Sequence, residues 1–167
     1  MPKIPAPACY LDRDDLTDER RGLRYAEMLR EAIEREGPDT VLAFIMEPVG
    51  GASTGALVAP DSYYGRIAEI CREFGILLIY DEVMTGAGRT GRYLAADHWG
   101  IVPDIVALSK GYAAGYVPLG AMVTHQRLVE PVLAAGGFAH GHTYAGNPLA
   151  CAAGLAVLEE VDRLGLC

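Results

Sequence analysis

Gly75-Ile76-Leu77-Leu78-Ile79-Tyr80-Asp81-Glu82 is an apolar run that stops abruptly on two acids. A run this short and this rich in branched residues suits a strand buried on both faces, as in parallel sheets. In open α/β sheets, ligands sit in the crevice outside the carboxyl ends of the strands. Asp81 therefore arrives where chemistry is expected. A glycine-rich loop follows, Thr85-Gly86-Ala87-Gly88-Arg89-Thr90-Gly91, then an amphipathic stretch to Trp99. A second short strand, Asp104-Ile105-Val106-Ala107-Leu108, delivers Ser109-Lys110-Gly111 to the same edge. One βα unit thus separates a carboxylate from a primary amine on one rim.

Three chemistries compete for this stretch. Gly86-Ala87-Gly88-Arg89-Thr90-Gly91 matches the dinucleotide fingerprint G-x-G-x-x-G and follows a strand. That motif needs an acid ending the next strand, yet Asp104 begins its strand and Leu108 ends it. Asp81-Glu82, just before the loop, is also a poor place for a diphosphate. A P-loop ATPase reading of Ile76 to Glu82 requires G-x-x-x-x-G-K-[ST] upstream, and no such segment exists. Pyridoxal phosphate chemistry needs the carboxylate–lysine pair as it stands. There a lysine forms a Schiff base with the cofactor aldehyde, and a carboxylate at the pyridinium nitrogen keeps the ring an electron sink.

These residues resemble a family, the class III (ornithine/ω-amino-acid type) pyridoxal phosphate-dependent aminotransferases. The resemblance is carried by Phe44-Ile45-Met46-Glu47-Pro48-Val49 and by Asp81-Glu82-Val83-Met84-Thr85-Gly86 with Gly88-Arg89-Thr90-Gly91. Pro103-Asp104-Ile105 with Ser109-Lys110-Gly111 continues it, and Thr143-Tyr144-Ala145-Gly146-Asn147-Pro148 completes it. Order and spacing match over roughly residues 40–163. The resemblance implies part of a fold-type I large domain: α/β, a mainly parallel sheet flanked by helices. Its strands would be 40–46, 76–81 and 104–108, with an antiparallel strand at 117–124. By resemblance, Lys110 is the catalytic Schiff-base lysine and Asp81 binds the ring nitrogen of pyridoxal 5'-phosphate. Val83 would pack on one ring face, and Glu47 would belong to the polar shell beside the cofactor. Thr143 would reach the phosphate of the neighbouring subunit, so a homodimer would share its active sites. The implied reaction moves an amino group from an amine or ω-amino acid to a 2-oxo acid.

Each residue also has a plainer reading. Asp81 alone could be a helix cap or an ion-pair partner. Lys110 alone could be a solvated lysine, although Gly111, Ala113, Ala114 and Gly115 leave room for a bulky ligand. Glu47 could pair with an arginine, and Thr143 could be an ordinary loop threonine. His140 and His142, two apart with no nearby carboxylate or cysteine, make a poor metal site and read as loop packing or lining. Two positions depart from the family. Met84 stands where many members carry a glutamine to the cofactor's phenolic oxygen. Ala52 stands where the ornithine and 4-aminobutyrate branches place a glutamate, which leans towards amine or ω-amino acid:pyruvate chemistry.

Family members are considerably longer than this chain. The resemblance implies that the phosphate-cradling turn and the stacking aromatic precede residue 1. A small domain with its substrate arginine would follow Cys167. Residues 1–16 then read as an N-terminal arm and 17–167 as a partial cofactor-binding large domain, with the small domain absent and the chain alone expected to be silent. The alternatives are racemase or aminomutase chemistry on the same lysine and aspartate, or an inactive relic fragment.

Composition agrees with an enzyme core. Hydrophobic residues make up 51% of the 167, enough for a sizeable interior. A net charge of -8 and a pI near 4.9 argue against nucleic acid and anionic membranes. Cys9, Cys71 and Cys151 read as reduced thiols, packed or partly buried, and Cys167 as a terminal one. With no signal-like apolar region, they point to the cytoplasm. No apolar segment approaches the ~20 residues needed to span a bilayer. A helix capped at Thr17 should run to Glu36 with Leu23, Ala26, Leu29 and Ile33 inward. Another, capped by Asp61, should run to Phe74 with Ile67, Ile70 and Cys71 inward. Further helices are expected from about His125 to Ala134 and from Pro148, where Asn147 is the N-cap.

Overall fold

The apolar runs form a single four-stranded sheet in the computed structural model, which describes residues 1–167. Its strands are β1 (Ala43–Met46), β2 (Leu77–Asp81), β3 (Ile105–Leu108) and β4 (Ala121–Thr124), adjacent in that order. β1, β2 and β3 are parallel, and β4 is antiparallel to β3. Met46 lies opposite Tyr80 and Asp81 opposite Ala107. Glu47, Asp81 and Lys110, three residues past Ala107, therefore come to one sheet edge. β1 begins later than expected because Pro38–Thr40 winds into a 3-10 turn. β4 is shorter than expected because Pro118 has no N–H to give a ladder.

Two helices build the core. α1 (Asp18–Glu36) starts at Thr17, whose side chain accepts the Arg20 N–H at 3.3 Å. It buries Gly22, Tyr25, Ala26, Leu29, Ala32 and Ile33. Leu23, expected inward, is 38% exposed, because the helix turns Gly22 to its neighbour instead. A Cβ on Gly22 would stand 2.3 Å from Ser62 Oγ, so the close crossing requires glycine there. That neighbour is α2 (Asp61–Phe74), which buries Tyr63, Tyr64, Ile67, Ile70 and Cys71. Asp61 does not cap α2; it is the first helical residue, and its carboxylate accepts the Trp99 indole N–H at 2.9 Å. Glu27 with Arg66 (2.5 Å) and Arg30 with Glu73 tie the two helices, and within each helix Arg30 also binds Glu27 and Arg66 also binds Glu73, both at 3.0 Å.

One sheet face is closed and the other is not. Leu78, Tyr80, Val106 and Leu108 are buried, whereas Leu77, Ile79, Ile105 and Ala107 are only partly covered. Ile45 and Met122 are 47% and 58% exposed. Burial on both faces, expected from the apolar runs, is thus not met within this chain. α3 (Gln126–Ala134) buries nothing, and α4 (Pro148–Arg163) buries only Gly154, against Leu119. Cys151 on α4 is exposed rather than packed, while Cys9 and Cys71 are buried. The arm is tied down: Asp12 and Asp14 bind Arg24 at 2.7 and 2.6 Å. No helix is long and apolar enough to cross a membrane.

Candidate active site

Glu82, fully buried, organises the edge where the strands end. One carboxylate oxygen accepts the Thr85 hydroxyl at 2.6 Å and the Ala95 N–H at 2.9 Å; the other accepts the Ala96 N–H at 2.9 Å. It clasps both ends of the 85–96 segment and starts the 3-10 turn Ala95–Trp99. Trp99 stacks on Tyr64, ring centroids 3.6 Å apart. Tyr64 donates to the Pro48 carbonyl at 2.7 Å and accepts the Ala59 N–H at 3.1 Å. Burial pushes its hydroxyl up to about 12, so it remains a donor at neutral pH. A continuous set of contacts thus runs from Glu82 to the neighbour of Glu47. Sequence reasoning gave Glu82 no role of its own. The available signal was Leu94, which has no side-chain oxygen to cap the turn that follows it.

The carboxylate and amine sit as the strand register requires. Asp81 is half-buried; one oxygen accepts the Val83 N–H at 3.0 Å, and no cation pairs with it. Val83 is half-buried beside it. Lys110 is exposed, forms no ion pair and opens the turn Lys110–Ala113 with a φ of 46°. For a non-glycine residue that left-handed backbone costs about 1–3 kcal/mol and is typical of functional positions. Glu47 is exposed and accepts the Gly51 N–H at 2.7 Å; it pairs with no arginine, so that plainer reading is not realised. A Cβ on Gly51 would stand 2.8 Å from Glu47 and 3.0 Å from the Met84 sulfur, which places these three together.

Lys110 opens on a cavity of about 440 Å³ walled by the Gly86–Arg89 loop. Gly86 lets that loop approach, since a Cβ there would lie 2.5 Å from Leu108 and 2.9 Å from the Glu82 carbonyl. The groups present fit the ring end of pyridoxal 5'-phosphate. A carboxylate with one oxygen committed to backbone and no cation partner suits a protonated ring nitrogen, and an unpaired amine on the same edge suits an aldehyde.

Of the expected site residues Lys110 alone lines this cavity; Asp81, Val83 and Glu47 share its sheet edge without lining it, and Thr143 lies outside it on an exposed turn. His140 and His142 are exposed, their rings edge-on at 5.2 Å, and they do not line the cavity either. No group of three His, Cys, Asp or Glu side chains could hold a metal ion.

The family model described as aminotransferase class-III matches residues 1–167. The uncharacterized aminotransferase YodT of Bacillus subtilis is 42% identical over 166 residues, covering 99% of this chain and 37% of the relative. A putrescine–pyruvate aminotransferase of Pseudomonas aeruginosa is 40% identical over 152 residues, covering 91% of this chain and 33% of the relative. Among solved structures, a thermostable (S)-enantioselective omega-transaminase from Thermomicrobium roseum aligns with a TM-score of 0.89 at 44% identity. That alignment covers 99% of this chain and 39% of the transaminase. The chain therefore spans between a third and two-fifths of the length of these proteins.

Proposed function

Since this chain belongs to the class-III aminotransferase family, we propose that it forms the cofactor-binding part of an enzyme moving an amino group from an amine or ω-amino acid to a 2-oxo acid. The observation that carries this reading is an uncompensated, half-buried Asp81 on the same sheet edge as an unpaired Lys110. Residues 17–167 would be the core of the large domain and residues 1–16 its arm.

Lys110 would hold pyridoxal 5'-phosphate through its amine, and Asp81 would accept a hydrogen bond from the ring nitrogen. Val83 would bear on the ring, and Glu47 would belong to the polar shell. Bound there, the cofactor supplies an electron sink for the bond broken at the amino-bearing carbon. An ionised Asp81 favours a protonated ring nitrogen, because an opposite charge at contact stabilises the charged form. Freed when the donor amine takes its place on the cofactor, the Lys110 amine would take the proton from the amino-bearing carbon of the donor. In the reverse half it returns one to the carbon that was the ketone of the 2-oxo acid. Glu82 touches no substrate; it is a positioning residue that holds the Gly86–Arg89 loop against Lys110.

The exposure of Thr143 away from the cavity supports a homodimer in which it serves the partner's cofactor phosphate. Four unpaired cysteines support a cytoplasmic setting. The test is to graft residues 1–167 into the Thermomicrobium roseum transaminase in place of its matching segment. With a single-enantiomer amine and pyruvate, the graft should yield alanine and the matching ketone, and Lys110→Ala in the graft should abolish both. Racemised amine with no alanine would overturn the transfer reading in favour of isomerisation.

A further inference from the structure

Lys110 keeps a left-handed backbone, φ 46°, and Ala114, just past the turn that Lys110 opens, keeps one at 49°. In residues other than glycine such backbone persists only where the surroundings over-determine it. The strand pair holds one side of the turn, with Leu108 opposite Ala121. Between that pair and the turn stands Ser109, half-buried in extended backbone. Its hydroxyl donates to the Leu119 carbonyl at 2.9 Å, and its own carbonyl accepts the Tyr112 N–H at 3.0 Å. Ser109 thus ties the lysine turn to the segment that leads into β4. Leu119 is itself held. Pro118 before it has a fixed φ, and the Leu119 side chain fills the space that a Cβ on Gly154 would need, so α4 backs it. After it, Gly120 admits the close approach: a Cβ there would stand 3.3 Å from the Leu108 carbonyl.

We propose that Ser109 is a positioning residue for the Lys110 amine: its hydrogen bond to Leu119 keeps the lysine backbone left-handed and so sets where the side chain leaves the sheet edge. This rests on the transfer reading above. Rotation about N–Cα into the ordinary negative range would carry Cβ, and with it the amine, through a wide arc. The exposed amine makes no ion pair that would hold it against that rotation. Glu82 fixes the loop that faces the lysine, whereas Ser109 fixes the lysine. Thr124 supplies the comparison for a bond that serves stability alone. Its hydroxyl donates to the Asp104 carbonyl at the same 2.9 Å, at the opposite end of β4.

Residues 1–167 and their variants are incubated with limiting pyridoxal 5'-phosphate, reduced with borohydride and mapped, and the label on Lys110 is divided by that on Lys3. Without cofactor, the one-bond Cα–Hα coupling of Lys110 is read by NMR, because it separates positive from negative φ. Ser109→Ala should lower the label ratio roughly tenfold, the scale of one hydrogen bond, and move the coupling towards its negative-φ value. Ser109→Thr, which keeps the hydroxyl, should keep both readouts, whereas Ser109→Val, of the same shape without it, should lose both. That pair decides should Ser109→Ala not fold. Thr124→Val should lose stability in urea and leave both readouts alone. In a parent that labels Lys110 preferentially, either readout unchanged in the hydroxyl-free variants, or equal losses in Thr124→Val, would overturn the proposal and leave the transfer reading standing. A parent that labels Lys110 no more than Lys3 removes the transfer reading, and the coupling alone then decides whether Ser109 sets the lysine backbone.

Discussion

Replacing Glu82 tests whether one buried carboxylate holds the edge together. Glu82→Ala removes three hydrogen bonds and strands the Ala95 and Ala96 N–H groups, whose residues are fully buried. Two unsatisfied buried donors cost about 1–3 kcal/mol each. Relief from burying a charge offsets part of that. We expect a net loss of about 3 kcal/mol for Ala, at the upper end of ordinary single substitutions. Glu82→Gln should lose less, about 1–3 kcal/mol. Its amide oxygen can serve one side of the clasp, but its NH₂ must then face a backbone N–H on the other. Trp99, the only tryptophan, ends the turn that Glu82 starts and stacks on Tyr64. Urea unfolding followed by its fluorescence therefore reports both global stability and the clasp. Emission should move towards that of exposed indole in the folded baseline of Glu82→Ala. An Ala variant within about 0.5 kcal/mol of the parent, with unchanged emission, would refute the clasp.

Two further outcomes follow from burial and charge. Burial pushes the Cys71 thiol up to about 12 and raises Cys9 also, while Cys151 and Cys167 are exposed. A thiol reagent at about pH 8 should find two fast cysteines in the native chain and four in urea; four fast ones natively would contradict the packing. The hydrogen bond from Arg66 foremost holds Glu27 below the usual 4.5, and that from Arg30 foremost does so for Glu73. Because the folded values are lowered, this stabilisation is present above 4.5 and is lost as pH falls through them. The parent should thus lose more of its urea midpoint between about pH 5 and pH 3 than Arg66→Met does, and equal losses would refute the linkage.

The strands and their edge were legible because the signal is local. The run ending at Asp81 and the run before Lys110 are short, apolar and bounded, so period and length suffice to read them. The same holds for Thr17 and Asn147, which cap by side-chain oxygens to backbone three residues on. What stayed hidden depends on contacts remote in sequence. Leu23 and Gly22 exchange places because of Ser62 on another helix. Asp61 serves Trp99, 38 residues away, instead of its own helix. Glu82 acts through Ala95 and Ala96, and only the folded loop brings them together. Apolar runs likewise indicate strands without saying how many faces this chain covers, and here it covers one.

The central claim is that Lys110 is the amine that holds the cofactor, and Lys3 is the only other lysine in the chain. Incubating residues 1–167 with limiting pyridoxal 5'-phosphate, reducing with borohydride and mapping the peptides by mass measures this directly. The account predicts a pyridoxyl group on Lys110 in strong preference to Lys3, and a weaker label after Asp81→Asn. Equal labelling of both lysines, or a label on Lys3 alone, would contradict it.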